Sequence, residues 1–115
     1  MTDKDRIVFR KLERYIQEIF IFTRGLSFEE FMNDRKTITA TAFDIGQIGE
    51  LVNEISEETK AKNMGIPWAS IRGMRNKIIH DYENVDLAVL WGTIMHSLPK
   101  LLREINIICN PNGNP

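Results

Sequence analysis

Residues 71–82 carry the side chains best suited to chemistry. The segment reads Ile-Arg-Gly-Met-Arg-Asn-Lys-Ile-Ile-His-Asp-Tyr and contains His80, one of the two histidines of the chain. Arg75 precedes His80 by five residues, and Tyr82 follows it by two. An imidazole exchanges protons near neutral pH, and a guanidinium can bind two phosphate oxygens at once. The pattern Arg-x4-His-x-Tyr therefore predicts a site that handles phosphate esters.

Cleavage of RNA without a metal is one reaction that these residue types can support. A base must take the proton of the 2′-hydroxyl, a cation must stabilise the charge on the phosphate, and an acid must protonate the leaving 5′-oxygen. His80 supplies a proton-transfer group and Arg75 supplies a cation. Asn76 lies on the same side of a helix as His80, four residues earlier, and can orient the imidazole or the RNA. Because one chain offers a single motif histidine, two-histidine catalysis predicts a symmetric dimer.

The charge distribution agrees with an anion site. Residues 59–80 contain five basic residues and no acidic one, whereas the remainder carries 10 basic and 16 acidic residues, a net charge of −6. The overall charge of −1 argues against general coating of nucleic acid and gives no reason to expect DNA binding. Within the basic segment, Arg72 and Lys77 flank Arg75 and are predicted to contact RNA phosphates.

Read as a continuous helix, the segment has two unusual features. Arg75 falls in an apolar stripe with Ile71 and Ile78, so it needs either a partner or an open cleft or interface there. His80 lies about 140° around the helix from Arg75, so the two do not share a face. For both to meet one phosphate, the helix must end or distort near His80, or a second copy must contribute.

Apolar residues at helical spacing predict the elements that hold this segment. Main helices are expected over residues 3–23, 35–58, 67–82 and 85–107, with a short helix after the capping box Ser27–Glu30. Gly46 and Gly49 inside the second main helix predict a close approach of another helix. Pro99 predicts a kink in the last one.

These elements predict an all-α protein, an up-and-down four-helix bundle with a short extra helix. Residues 1–108 are expected to form a single domain and 109–115 a disordered tail.

Composition narrows the functional classes. Cys109 is the only cysteine, so no internal disulfide is possible, and a reducing compartment fits. His80 and His96 are not spaced as a zinc pair, and we expect neither a metal nor a cofactor. His96 falls close to the apolar stripe of the last helix, which favours a structural role. With no long apolar run and a charged N-terminus, we expect a cytoplasmic protein without a membrane span.

Several spaced motifs resemble the HepT-like family of HEPN-domain proteins. The strongest is the stretch from Ile66 to Tyr82, followed by Val-Asp-Leu at 85–87 and by Trp91. Phe-Glu-Glu-Phe at 28–31, Ile-Gly-Glu at 48–50, and Leu98 to Leu102 agree in the same order. The resemblance covers roughly residues 8–106 and implies the HEPN helical fold.

The resemblance also implies an activity. HepT-like proteins are toxins of toxin–antitoxin pairs and are similar to metal-independent ribonucleases with an Arg-x4-His-x-Tyr site at a homodimer cleft. Carried onto this chain, Arg75 and His80 are the catalytic pair and Asn76 is the polar neighbour. Tyr82 matches the tyrosine to which the partner antitoxin, a nucleotidyltransferase of the MntA type, transfers AMP.

Two other interpretations stay open at this level. The chain can be a non-catalytic module that binds a nucleotidyltransferase or a nucleotide, which would need Arg75 and Lys77 but not His80. It can also be a purely structural helical dimer, although that leaves the basic segment without a purpose.

Overall fold

The first helix and the short helix after it have the predicted boundaries. In the computed structural model, which describes residues 1–81 and 84–111, α1 spans Asp3–Thr23 and α2 spans Phe28–Met32. Between them Gly25 has a φ of 79°, a conformation that favours glycine. The predicted capping box opens α2. The Ser27 hydroxyl accepts from the Glu30 N–H, and the Glu30 carboxylate accepts from the Ser27 N–H.

The second main helix is shorter than predicted. The sequence predicts one helix over 35–58, but α3 spans Arg35–Val52 and a separate α4 spans Glu57–Lys62. The N–H groups of residues 53, 54 and 55 bond to carbonyls three residues earlier, which tightens the end of α3. Ser56 then caps α4 by accepting from the Thr59 N–H. The prediction of a single helix was wrong because apolar spacing continues across this turn.

The segment that carries the motif is broken twice. Helix α5 spans Trp68–Arg72 and α6 spans Met74–Ile78, with Gly73 between them. Ile79 is extended and pairs with Val85 in an antiparallel bridge. The helix therefore ends before His80, which is one of the alternatives that the spacing allowed.

The last helix contains a π-helical turn directly before Pro99, the residue at which the sequence predicts a kink. Helix α7 (Leu87–Gly92) is capped by Asp86 and continues through a π-helical segment, Thr93–Ser97, into α8 (Leu98–Cys109). The Leu98 N–H donates to the Thr93 carbonyl five residues earlier. This wider turn directly precedes Pro99, whose ring and missing N–H do not fit a regular α-helical turn.

The C-terminal part departs from the sequence expectations in two details. Helix α8 extends through Cys109, one residue past the predicted end of the domain, and residues 112–115 lie outside the described residues. His96 is exposed on the π-helical segment, so its predicted position close to the apolar stripe was wrong. None of the described helices combines the length and apolarity needed to cross a bilayer.

The all-α fold is confirmed, and its core lies between α1, α3 and the α7–α8 arm. Helix α1 packs along α3 and against α8, while α5 and α6 pack on α3. The core is made of aliphatic side chains and phenylalanines with almost no exposure, including Phe9, Leu12, Ile16, Ile19, Phe31, Ile45, Ile48, Ile78, Leu90, Ile94, Leu98 and Ile105. Burial of this apolar surface is the main stabilising contribution.

A buried carboxylate ties α1 to the turn between α3 and α4. Asp5 is 1% exposed and accepts from the Ser56 N–H at 2.9 Å, the Ser56 hydroxyl at 2.7 Å and the Thr59 hydroxyl at 2.6 Å. Burial alone raises the pKa of Asp5, but the hydrogen bonds from Thr59 and Ser56 outweigh it and hold the pKa well below its usual range. The charged form of Asp5 is therefore part of the folded structure.

A second buried carboxyl lies between α1 and α3 and has the opposite behaviour. Asp44 is 2% exposed, and its Oδ2 atom has no hydrogen-bond partner among the described residues. Burial, the hydrogen bond with Glu18 and the charge of Glu18 raise the pKa of Asp44 from 3.8 to about 7. The folded protein thus holds a proton on Asp44 at pH values where the unfolded chain has lost it.

This pair predicts a pH dependence of stability. Because the pKa of Asp44 is raised in the folded state, its contribution to the free energy of unfolding falls as the pH rises from about 4 to about 7. Asp44→Asn keeps the shape but cannot ionise, so at pH 8 it avoids a buried charge beside Glu18 and should raise that free energy by on the order of 1–3 kcal/mol. Urea unfolding of both proteins from pH 5 to pH 8 measures this, and an equal difference at every pH would contradict it.

Candidate functional site

An open groove of about 710 Å³ runs along α3. Helix α3 forms its floor, and its walls come from α6, the bridge between Ile79 and Val85, and the ends of α2 and α7. The apolar residues that line it are Met32, Ile38, Ala42, Phe43, Ile79, Val85 and Leu87. Gly46 and the polar residues Arg35, Thr39, Gln47, Glu50 and Arg75 complete the lining. The groove is thus apolar along its length and charged at particular points.

Arg75 reaches this groove by lying across a glycine. A Cβ atom added to Gly46 would lie 3.4 Å from the Arg75 Cδ and 3.8 Å from its Nε, so the arginine stem rests directly on the α3 backbone. The Arg75 side chain is exposed, and it makes no ion pair or hydrogen bond within residues 1–81 and 84–111. Of the two alternatives that the sequence left open, a partner for Arg75 or a position at a cleft or interface, the described residues agree with the second.

Backbone contact fixes the height of the motif segment above α3. A Cβ on Gly49 would lie 3.2 Å from the Arg72 carbonyl oxygen and 3.5 Å from the Ile71 carbonyl oxygen. These distances confirm the close approach that the two glycines predict. Met74 and Ile78 bury the inner side of α6, which leaves its outer side to carry polar residues.

His80 follows Ile79, the extended residue at which α6 ends. Its N–H donates to the Asn84 carbonyl at 2.9 Å, and the Asp86 N–H donates to the Ile78 carbonyl at 2.7 Å. His80 is exposed and, unlike Ile79, does not line the groove.

The predicted site residues are close in sequence but not all in the groove. Arg72, Asn76 and Lys77 are exposed and, like His80, do not line it, so Arg75 is the one predicted site residue among those the structure describes that does. Tyr82 lies outside the described residues. One copy of the chain therefore presents a basic outer surface beside a groove, and it does not bring the Arg75 and His80 side chains together inside that groove.

Sequence reasoning missed most of the groove lining, including Arg35, Thr39, Phe43 and Gln47. These four residues come from the face of α3 opposite its buried stripe, and Phe43 is 62% exposed. Their helical spacing is visible in the sequence, but the sequence does not show that other elements rise on both sides of this face. Glu50 is exposed and lines the same groove as Arg75.

The chain matches the model of a known protein family. The model of the family described as "Ribonuclease HepT-like" matches residues 12–108, which include α3, the whole motif segment and all but the last residue of α8. The chain belongs to this family. The resemblance and the ribonuclease class predicted from the sequence are confirmed at the level of the family.

Curated HepT-like relatives have similar length. A protein of Caldanaerobacter subterraneus subsp. tengcongensis named "Putative RNase TTE0752" is 36% identical over 100 residues, which cover 84% of this chain and 89% of that protein. One of Thermococcus cleftensis, named "Probable ribonuclease HepT", is 40% identical over 86 residues, covering 75% and 78%. A Methanocaldococcus jannaschii protein, "Putative RNase MJ1216", is 33% identical over 94 residues, covering 82% and 78%. No solved structure matches the chain.

The close contact between Gly49 of α3 and the Arg72 carbonyl predicts that alanine at position 49 lowers stability more than alanine at an open glycine position. In Gly49→Ala the new methyl meets the Arg72 carbonyl, so α5 and α6 must shift, and such overpacking costs about 1–3 kcal/mol. Gly92→Ala is the matched control, because it adds the same methyl in helix α7 with no atom within 4 Å and gains up to about 1 kcal/mol of helix propensity. Urea unfolding should find Gly49→Ala less stable than Gly92→Ala by at least about 1 kcal/mol. Equal stability of the two variants would contradict this close contact.

Proposed function

We propose that this protein is a metal-independent endoribonuclease, the toxin of a toxin–antitoxin pair, with Arg75 and His80 as its catalytic residues. The observation that carries the proposal is that the family match spans the segment in which both side chains are exposed, with the Arg75 guanidinium unpaired among the described residues. An unpaired guanidinium beside a groove is available for a phosphate. Arg72, Asn76 and Lys77 extend this polar surface and contact or orient the RNA.

The reaction needs no group that these residue types lack. The 2′-oxygen forms a bond to phosphorus while the bond from phosphorus to the 5′-oxygen breaks, which leaves a 2′,3′-cyclic phosphate and a 5′-hydroxyl. His80 accepts the proton of the 2′-hydroxyl, and Arg75 stabilises the charge on the non-bridging oxygens. His80 of a second copy donates a proton to the departing 5′-oxygen. DNA has no 2′-hydroxyl and is not a substrate.

A homodimer follows from this requirement for two histidines. In a single copy His80 does not line the groove that holds Arg75, so one copy does not assemble the pair. The groove also exposes apolar surface, including Phe43 at 62% and Met32 at 40%. Such a patch beside a basic surface is typical of an interface. If a second copy covers this patch, a cleft forms between the copies, and the motif segments of both copies can face one RNA strand across it.

Regulation by AMP transfer completes the proposal. A partner nucleotidyltransferase of the MntA type transfers AMP from ATP to the hydroxyl oxygen of Tyr82, two residues after the proposed catalytic histidine, and pyrophosphate is released. The added group is bulky and negatively charged, so it repels the phosphate backbone of RNA and fills space at the cleft. Toxin and partner act in the cytoplasm, where both RNA and ATP are present.

A second candidate function is a non-catalytic module that binds a nucleotide or a nucleotidyltransferase. The observation that favours it is the absence of His80 from the groove lining, because a groove with a guanidinium can hold a phosphate without cleaving anything. No RNA cleavage by folded wild type, together with nucleotide or nucleotidyltransferase binding that His80→Ala leaves unchanged, would favour this candidate.

Cleavage of RNA in EDTA tests the catalytic assignment. Wild type should give discrete fragments with cyclic-phosphate ends, and His80→Ala or Arg75→Ala should lower the rate at least about 100-fold. His96→Ala and Arg103→Ala are matched controls, since both side chains are exposed outside the groove and should leave the rate unchanged. A substrate with one 2′-deoxyribose at the cut site should resist cleavage. No cleavage by folded wild type of unmodified mass would overturn the ribonuclease.

Replacement of the tyrosine separates cleavage from its control. Tyr82→Phe should cleave RNA like wild type but keep cleaving after incubation with the partner enzyme and ATP, because it offers no hydroxyl for AMP. Tyr15→Phe is the matched control, as Tyr15 is the other tyrosine and is half-buried on α1. Its intact mass should rise by one AMP, and its cleavage should stop. Silencing of Tyr82→Phe would mean that the partner acts by tight binding instead.

A further inference from the structure

The outward face of α3 has the pattern of a helix–helix seam. Arg35, Thr39, Phe43, Gln47 and Glu50 follow one another at intervals of four, four, four and three residues, so they lie on one side of the helix. All five line the groove. The face is apolar at its centre and charged at its ends.

The charges at the two ends oppose the dipole of their own helix. Arg35 is the first residue of α3, where a cation is disfavoured, and Glu50 lies in the last turn, where an anion is disfavoured. Both are exposed, and neither makes an ion pair within the part of the chain that the structure describes. An oppositely directed copy of α3 would bring an anion to the N-terminal end and a cation to the C-terminal end.

The spacing of this face is suited to self-pairing. Arg35 and Glu50 are about 22 Å apart along the helix axis, and the midpoint between them falls at Ala42 and Phe43. A two-fold axis at this midpoint sets Arg35 against Glu50, Thr39 against Gly46, and Phe43 against Ala42 of the second copy. At the axis the small Ala42 would then face the large Phe43, as close packing requires, whereas Thr39 would meet the Arg75 stem that covers Gly46.

We propose that two copies of this chain pair through antiparallel α3 helices about a two-fold axis at Ala42–Phe43, with Arg35 of each copy bound to Glu50 of the other. The inference rests on the proposed homodimer and fixes which surface and which register it uses. The interface is isologous, so each contact occurs twice.

This register also changes the composition of the site. Glu50, Gly46 and Arg75 line the same groove, and the Arg75 stem rests on Gly46. Arg35 of the second copy, when it reaches Glu50, arrives beside Arg75. Each cleft then holds an Arg35–Glu50 pair beside Arg75, and this pairing compensates the Glu50 carboxylate, which would otherwise repel an RNA phosphate at Arg75.

Charge reversal tests the register without the use of RNA. Arg35→Glu and Glu50→Arg each place two like charges together twice per dimer, so each should weaken dimerisation at least about tenfold in Kd by light scattering or sedimentation. The double variant restores opposite charges and should return to within about threefold of wild type. Both single changes improve the charge match with the α3 dipole, so loss of folding is not expected, and circular dichroism checks this.

Matched controls lie next to both residues. Lys36→Glu and Glu54→Arg make the same charge changes one residue and four residues away, at exposed positions that do not line the groove, and should leave Kd within about threefold. Single variants that dimerise like wild type, or a double variant that stays as weak as the singles, would overturn the register.

A cysteine near the axis gives an independent test. In a Cys109→Ser background, Phe43→Cys would lie close to its own copy across the two-fold axis and should form a disulfide-linked dimer on mild oxidation. Ile21→Cys is the control, because Ile21 is 61% exposed on α1 and does not line the groove. If Phe43→Cys forms no disulfide-linked dimer, or forms no more of it than Ile21→Cys does, the proposal is overturned.

The outcomes separate this inference from the ribonuclease proposal. If the charge reversals leave the dimerisation Kd unchanged and the protein cleaves RNA, the register alone is overturned. If Kd changes as predicted but the protein does not cleave RNA, the register is supported and the ribonuclease proposal is overturned. A wild-type protein of single-chain mass overturns both the register and the two-copy cleft.

Discussion

The contact between α3 and the motif segment is the constraint on which the site depends. The Arg72 carbonyl would lie 3.2 Å from a Cβ at Gly49, and the Arg75 stem rests on Gly46. No side chain larger than hydrogen fits at Gly49 without a shift of backbone on one side or the other. Two glycines one helical turn apart therefore set both the height of α5 and α6 and the path by which a guanidinium enters the groove. The buried side of α6, Met74 and Ile78, then holds this segment in place.

Two buried carboxyl groups connect α1 with α3 and with the turn that follows α3. Asp5 joins α1 to the turn that ends α3, and Asp44 meets Glu18 where α1 crosses α3. The first is a fully satisfied carboxylate and the second is a carboxyl pair with one unpartnered oxygen. Burial acts on both, and the number of hydrogen-bond donors decides the direction of the shift. As a result α3 is anchored to α1 by one interaction that favours charge and one that disfavours it.

The groove gives the physical basis for the proposed homodimer. Its centre exposes Phe43, its ends carry charges that oppose the α3 dipole, and His80 lies outside it. The first two features cost free energy in an isolated chain. In the proposed dimer, a second copy on the same surface would relieve both and would bring a second histidine. Stability of the α3 face and assembly of the proposed catalytic site would then depend on the same contact.

The sequence by itself determined the all-α fold, α1, the capping box at Ser27 and the motif segment, because helical periodicity and capping are local properties. It also indicated the close approach at the α3 glycines. It did not predict the break after Val52, since apolar spacing continues across that turn while the hydrogen bonds that organise it come from Asp5, 51 residues away from Ser56. Tertiary structure alone decided that Arg75 is exposed, that Phe43 lines a groove and that Asp44 is buried beside Glu18. Exposure and pKa depend on which elements pack together, and that is a property of the whole fold.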